Sequence, residues 1–223
     1  LYATEPRMPI QQLHEVGLPV LLWALRIGGN SDTLLKNNYM TSEVIRAISK
    51  KFWGDEIAAD FSTFKGKALS AVKIQDRQYA KESLILCDFS WPITHSPITD
   101  DHVGDPALES QVCSAVTGMD MDETDLDKFG QRIFNLQRAV LAREGRTGRA
   151  SDTIEEFNFT IPLKAEFGNP DCIVPGRNGE VFSRKGTVLD RQKFEKMKDE
   201  YYAIRGWDVS TGLQKKTKLE ELG

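Results

Sequence analysis

Three cysteines, three histidines and a run of aspartates are the residues of this chain whose types could do chemistry. Cys87, Cys113 and Cys172 lie far apart and form no C-x-x-C pair. The chain therefore encodes neither a disulfide framework nor a metal site complete in itself, and a reducing, cytoplasmic setting is the expectation. By residue type alone Cys87 is a small hydrophobe buried at a helix end. The residues that follow it point elsewhere: Asp88-Phe89-Ser90-Trp91-Pro92-Ile93-Thr94-His95 carries two aromatics, a proline and a histidine, which would continue a helix poorly. The chain leaves the helix abruptly after Cys87, as a loop lining a site would.

The other candidates have simpler readings. His14, His95 and His102 share no metal-ligand spacing, and no Gly-x-Ser-x-Gly elbow stands near them, so each taken alone is a structural or solvent-exposed histidine. Asp120, Asp122, Asp125 and Asp127 resemble a calcium loop only superficially. Its sixth position would hold Asp125 where the turn demands glycine, and its twelfth Gln131 where a bidentate glutamate is needed. Acids at a helix N-terminus, favoured by the macrodipole, explain the run better. Gly28-Gly29, Gly145 and Gly148 assemble into no phosphate-binding loop and read as helix ends and turns.

The elements that must position these residues are helical by their apolar spacing. Val44, Ile45, Ile48 and Phe52 predict a helix over 43–53, with Thr41 or Ser42 as N-cap and Gly54 as stop. A second runs from Lys67 to about Leu86 and delivers Cys87 at its end. Leu69, Val72, Tyr79, Ala80, Ser83 and Leu84 share one face there, with Lys73, Asp76, Arg77 and Lys81 largely on the other. Asp105-Pro106 opens a short helix with a stripe of Leu108, Val112, Ala115 and Val116, closed by Gly118. From Asp122 to Glu144 the positions Leu126, Phe129, Ile133, Leu136 and Val140 predict a buried helix that stops at Gly145. Residues 147–189 are rich in Gly, Pro, Asn and charge, with Asn178-Gly179 placed for a tight turn, so at most a small hairpin near 172–189 is expected. Asp190 caps a further helix with Phe194, Met197, Tyr201 and Ile204 on one side and Gly206 at its end, and a short turn covers 218–222.

The expected fold is all-α, one multihelical domain without internal repeats. With 29 basic against 33 acidic side chains and no basic stripe, nucleic acid is excluded as a partner. The longest apolar run, Leu18 to Leu25, contains Pro19 and falls well short of the roughly 20 residues of a membrane span. A chain that opens on Leu with no charged stretch leading into an apolar one carries no signal peptide, and it reads as a piece of a longer protein.

Several stretches together resemble the tungsten-containing aldehyde ferredoxin oxidoreductases. Glu82-Ser83-Leu84-Ile85-Leu86-Cys87 is similar to the family's D-x-x-G-L-C motif. Tyr201-Tyr202-Ala203-Ile204-Arg205-Gly206-Trp207-Asp208, with Gly212 and Leu219 to Gly223 behind it, resembles the family's C-terminal Y-Y-x-x-R-G-W-D ending. Gly130 to Arg138, followed by Arg143-Glu144-Gly145, is similar to the family helix G-x-R-I-x-N-L-x-R. Phe52-Trp53-Gly54, Gly66-Lys67-Ala68 and Ala115-Val116-Thr117-Gly118 fall in family order, so the resemblance spans nearly the whole chain.

What the resemblance implies is a larger enzyme whose preceding domain holds a tungsten, or molybdenum, bis-pyranopterin, with residues 1–223 as its C-terminal helical domain and 1–40 at the edge of the domain before. Cys87 inherits the role of fourth ligand of a [4Fe-4S] cluster, the other three thiolates lying upstream; Cys113 and Cys172 match no family ligand. Glu82 stands where the family's aspartate accepts hydrogen bonds from the pterin, one methylene longer. Leu86 keeps the position whose backbone faces the pterin, while Ile85 replaces the family's glycine. Ala3-Thr4-Glu5-Pro6-Arg7 resembles the start of A-T-x-x-R-G-x-x-H-x-K/R, so Arg7 inherits a pterin contact. Met8 replaces that motif's glycine, Gln11 its histidine and Leu13 its last basic residue, which leaves His14 or His95 as candidates for the proton-transfer role that glutamine cannot fill.

The resemblance implies oxidation of aldehydes to carboxylic acids, with electrons passed to ferredoxin or an electron-transfer subunit. An active-site subunit of the class II benzoyl-CoA reductase type, acting on an acyl-CoA, stays open because of the altered 8–13 segment and of Phe89 and Trp91. So does a non-catalytic helical assembly module, and homo-oligomerisation is left open. By itself this stretch is expected to be inactive and to hold no cofactor, since one thiolate cannot hold a four-iron cluster.

Overall fold

The computed structural model describes residues 2–5, 13–30, 32–87, 91 and 93–223, except for the side chains of Tyr2, Leu13 and His14. Its elements run α1 (Leu13–Ile27), α2 (Ser42–Phe52), α3 (Lys67–Ser83), α4 (Leu108–Thr117), α5 (Glu123–Arg143), α6 (Phe157–Thr160), β1 (Ile173–Pro175), β2 (Val181–Ser183), α7 (Arg191–Arg205) and α8 (Lys216–Leu222). The expected all-α architecture is what forms, with one antiparallel hairpin in the Gly- and Pro-rich stretch, Val174 opposite Phe182. No helix of the described residues is long and apolar enough to cross a membrane.

Side-chain caps set the starts of α2, α5 and α7. The Thr41 hydroxyl accepts from the Val44 amide, and Asp190 accepts from the amide of Lys193. Asp122 and Asp125 form a reciprocal capping box at the head of α5, which accounts for the aspartate run without a cation. Helix α1 was not among the expected helices and carries Pro19 inside it. It forms because Leu22, Trp23 and Ala24 are buried in the core, and that packing outweighs one lost backbone hydrogen bond.

Two apolar clusters result. One gathers α1, α2 and the turn Glu56–Ala59 around Trp23, Met40, Ile45, Ile48 and Trp53. The other packs α3, α5 and α7 around Tyr79, Phe134, Tyr201, Tyr202 and Trp207. Helix α3 is the central member, and its expected two-faced pattern does not hold: Asp76 and Lys81 are as deeply buried as Tyr79 and Ala80. Helices α3 and α5 touch at Gly130, where an added Cβ would lie 2.0 Å from the Asp76 carbonyl oxygen.

Three predicted faces need correction. In α5 the buried residues are Leu126, Gly130, Phe134, Asn135 and Arg138, whereas Phe129, Leu136 and Val140 are exposed. In α4 Glu109, Ser110 and Cys113 are buried and Val116 is exposed. In α7 Phe194 and Tyr201 face inward as expected, but Lys198, Tyr202 and Arg205 join them while Ile204 is exposed. The cause is shared: ion pairs and hydrogen bonds let charged and polar side chains occupy inward positions, displacing the apolar stripe around the helix.

Candidate functional site

Helix α3 stops at Ser83, three residues before the predicted end, and how it stops determines where Cys87 goes. The Leu86 amide donates to the Lys81 carbonyl at 3.0 Å and the Ile85 amide to the Glu82 carbonyl at 3.0 Å. This pair of bonds is a Schellman motif, which requires the residue at Ile85 to adopt the left-handed conformation. Ile85 does so at φ 60°. Helices α1, α5 and α7 close with the same bond pattern and place Gly29, Gly145 and Gly206 there. The glycine in the motif that Glu82 to Cys87 resembles therefore has a conformational reason at this position, and Ile85 meets the same geometry under strain. Its side chain is 93% exposed, so packing against the described residues does not explain it.

Two residues beyond this turn Cys87 is exposed, whereas Cys113 and Cys172 are buried. The burial expected of Cys87 from residue type alone is thus not what forms, and of the loop expected to follow it Asp88, Phe89, Ser90 and Pro92 lie outside the described residues. Glu82, half-buried on the last turn of α3, accepts a hydrogen bond from Gln78 Nε2 at 2.8 Å. Leu86 lies between them on the same turn, so Glu82, Leu86 and Cys87 are presented by one helix end. Arg7, Met8 and Gln11 lie outside the described residues. His14 lies in the first turn of α1. His95 is half-buried elsewhere: it pairs with Val103 in an isolated bridge, and its ring centroid lies 6.1 Å from that of Tyr39. Burial holds the His95 imidazole below the usual histidine range and pushes the neighbouring Tyr39 hydroxyl up to about 12.

The segment leading to Arg7 is clamped onto the same helix. Thr4 Oγ1 accepts from Gln75 Nε2 at 3.2 Å, and Glu5 Oε1 accepts from the Tyr79 hydroxyl at 2.7 Å. From α5, Arg138 donates to the Thr4 carbonyl at 3.1 Å. This hold rests on residues of the C-terminal signature that sequence reasoning left without roles. Tyr201 donates to Gln75 Oε1 at 2.5 Å, Arg205 pairs with Asp76, and the Trp207 indole donates to Asn135 Oδ1 at 2.9 Å. Tyr202, Arg138 and Arg146 converge on the fully buried Asp152. Burial raises the Asp76 carboxyl to about 6, more than Arg205 lowers it, and raises the Tyr202 hydroxyl with help from the adjacent Asp152 charge.

A second buried ionic group lies beside the exit of α3. Glu15 of α1 accepts from Lys81 Nζ at 2.8 Å, and Arg77 bridges Glu15 and Glu109 of α4. Trp91 joins this group: its indole N–H donates to Glu109 Oε1 at 3.2 Å, its carbonyl accepts from Lys81 Nζ at 3.4 Å, and its amide donates to the Cys87 carbonyl at 2.7 Å.

Among the described residues no group of three or more His, Cys, Asp or Glu side chains is placed to hold a metal ion. Among the described residues Cys87 is the exposed thiol, and Glu82 stands five residues before it. Residues 31–223 match the family model described as aldehyde ferredoxin oxidoreductase, domains 2 & 3, and the chain belongs to the aldehyde ferredoxin oxidoreductase family of oxidoreductases.

Proposed function

We propose that this chain is the C-terminal helical part of a tungsten- or molybdenum-dependent oxidoreductase in which Cys87 supplies the fourth thiolate to a [4Fe-4S] cluster. The observation that carries the reading is the outward placement of Cys87 on a turn that also presents Glu82 and Leu86. A four-iron cluster takes four thiolates, and Cys113 and Cys172 are buried, so the remaining three come from polypeptide outside these residues. When bound, the metal pterin supplies two-electron chemistry at the substrate and the cluster hands electrons on singly.

The chain's own residues bind and orient. Glu82 stands where the family's aspartate accepts from the pterin, and its carboxylate is of the type that accepts N–H groups. That makes it an acceptor for pterin N–H groups. The Leu86 backbone faces the same ligand, and Arg7 follows a segment clamped at Thr4 and Glu5 to α3. Oxidation of an aldehyde to a carboxylic acid takes its oxygen from water and releases two electrons and two protons. Ferredoxin or a partner subunit accepts the electrons in this reading. His14 is the candidate for handling a proton, because it follows the segment whose usual histidine is Gln11.

The test uses the full-length protein. Cys87→Ala should abolish or convert the cluster's electron paramagnetic resonance signal, and Cys113→Ala should leave it intact. Equal effects of the two variants would refute the ligand assignment. Dye reduction that depends on aldehyde and not on aryl-CoA separates this reading from the benzoyl-CoA reductase type. Purified full-length protein lacking tungsten, molybdenum and iron would instead establish an assembly module.

A further inference from the structure

We infer that Trp91 is a positioning residue for the Cys87 thiolate, anchored through Glu109 to the buried ionic group of α1, α3 and α4; this rests on the reading of Cys87 as a cluster ligand. Each hydrogen-bonding group of Trp91 is engaged. Its amide donates to the Cys87 carbonyl, its carbonyl meets Lys81 Nζ, and its indole N–H meets Glu109 Oε1. An aromatic that merely filled space would belong to one of the two apolar clusters, and Trp91 belongs to neither.

The anchor itself is firm. Glu109 and Glu15 are 1% exposed and Lys81 is fully buried, so their charges are held by one another and by Arg77 and not by solvent. Its part toward a cluster bound at Cys87 is one of placement. The preceding turn supplies no such restraint, since Ile85 sits there in a conformation that branched residues disfavour. The bonds of Trp91 fix the far side of the cysteine.

The inference separates two roles that variants of the full-length enzyme can distinguish. Trp91→Phe keeps one aromatic ring and removes the indole donor together with its fused ring. It should retain iron content while altering the shape of the cluster's electron paramagnetic resonance spectrum. Cluster loss to a ferrous chelator should be roughly tenfold faster, the scale of one hydrogen bond to a charged acceptor. Glu109→Gln keeps an oxygen acceptor but removes one buried negative charge, so it should show a smaller lability effect together with an upward shift in cluster reduction potential. Asp152→Asn, equally buried but remote from Trp91 in its bonding, should lower the melting temperature and leave the spectrum unchanged. Wild-type spectra and chelation rates in both Trp91→Phe and Glu109→Gln would overturn the inference. Were Trp91→Phe not to accumulate, unchanged behaviour of Glu109→Gln would overturn it alone. If Cys87→Ala kept the cluster signal, the ligand reading itself would be the part that fails.

Discussion

The amide of Leu86 donates to the carbonyl of Lys81 at 3.0 Å, and the residue between them and Glu82 that makes this bond possible, Ile85, is turned to φ 60°. Three other helices of the chain solve the same closure with glycine. A β-branched residue in this conformation costs about 1–2 kcal/mol. Ile85→Gly should therefore stabilise the protein by about 1 kcal/mol after the greater freedom of glycine in the unfolded chain is set against it. At this chain length that raises the melting temperature by roughly 2–4 °C. Little apolar packing opposes the gain, because the isoleucine side chain is 93% exposed. A lowered melting temperature for Ile85→Gly would show that the side chain is held by contacts stronger than the strain.

The Asp152 carboxylate receives Arg138, Arg146 and the Tyr202 hydroxyl with no solvent exposure. Removing its charge leaves the buried Arg138 guanidinium, and the half-buried Arg146, short of a counterion. Breaking a buried pair from one side costs about 3–5 kcal/mol. Asp152→Asn should lose that much in urea unfolding, and Tyr202→Phe, which deletes one hydrogen bond, about 1–2 kcal/mol. A loss below about 1 kcal/mol for Asp152→Asn would mean that water replaces the charge.

These buried ions also mark where sequence reasoning stopped. The starts of α2, α5 and α7 were legible because Thr41, Asp122 and Asp190 carry their own caps, and most ends were legible because glycine marks the left-handed turn; the start of α4 was not, since it begins at Leu108 beyond the expected Asp105 cap. Cys87 drew attention through the residues that follow it, and Glu82 through the motif that the stretch resembles. The inward charges were not legible: Asp76 pairs with Arg205, and Arg77 with Glu15 and Glu109, all distant in sequence. Without those partners Asp76, Arg77 and Lys81 read as a solvent face, and the apolar stripes of α4 and α5 were assigned inward. The signal that could have found the partners is the density of Tyr, Arg and Trp in 201–207, since residues of that kind bury well only when their polar atoms are met.

Gly130 lets α5 cross α3 in contact with the Asp76 carbonyl, at a distance no Cβ could share. In an isolated helix Gly130→Ala would gain about 1 kcal/mol. Here the added methyl must push the two helices apart, disturbing the Asp76–Arg205 pair one side chain away. The net effect should be a loss of about 1–3 kcal/mol, as overpacking of a close contact produces. An increase in stability on denaturant titration would show that the crossing can relax at no cost.

His95 gives a pH dependence of known sign. Burial holds its folded-state pKa below the ordinary 6.5, so the folded protein binds this proton less readily than the unfolded chain does. Such a group contributes stability that is fully present above the unfolded value and is lost as pH falls through the folded one. His95→Gln, which cannot acquire the proton, should therefore flatten the decline in urea midpoint between about pH 7.5 and about pH 5. The ring is neutral near pH 7 by the same reasoning, so it can accept a proton there but does not stand ready as an imidazolium donor. If His95→Gln left the pH profile of stability unchanged, the imidazole would have to be as well solvated in the fold as outside it, against its half-buried place beside Tyr39.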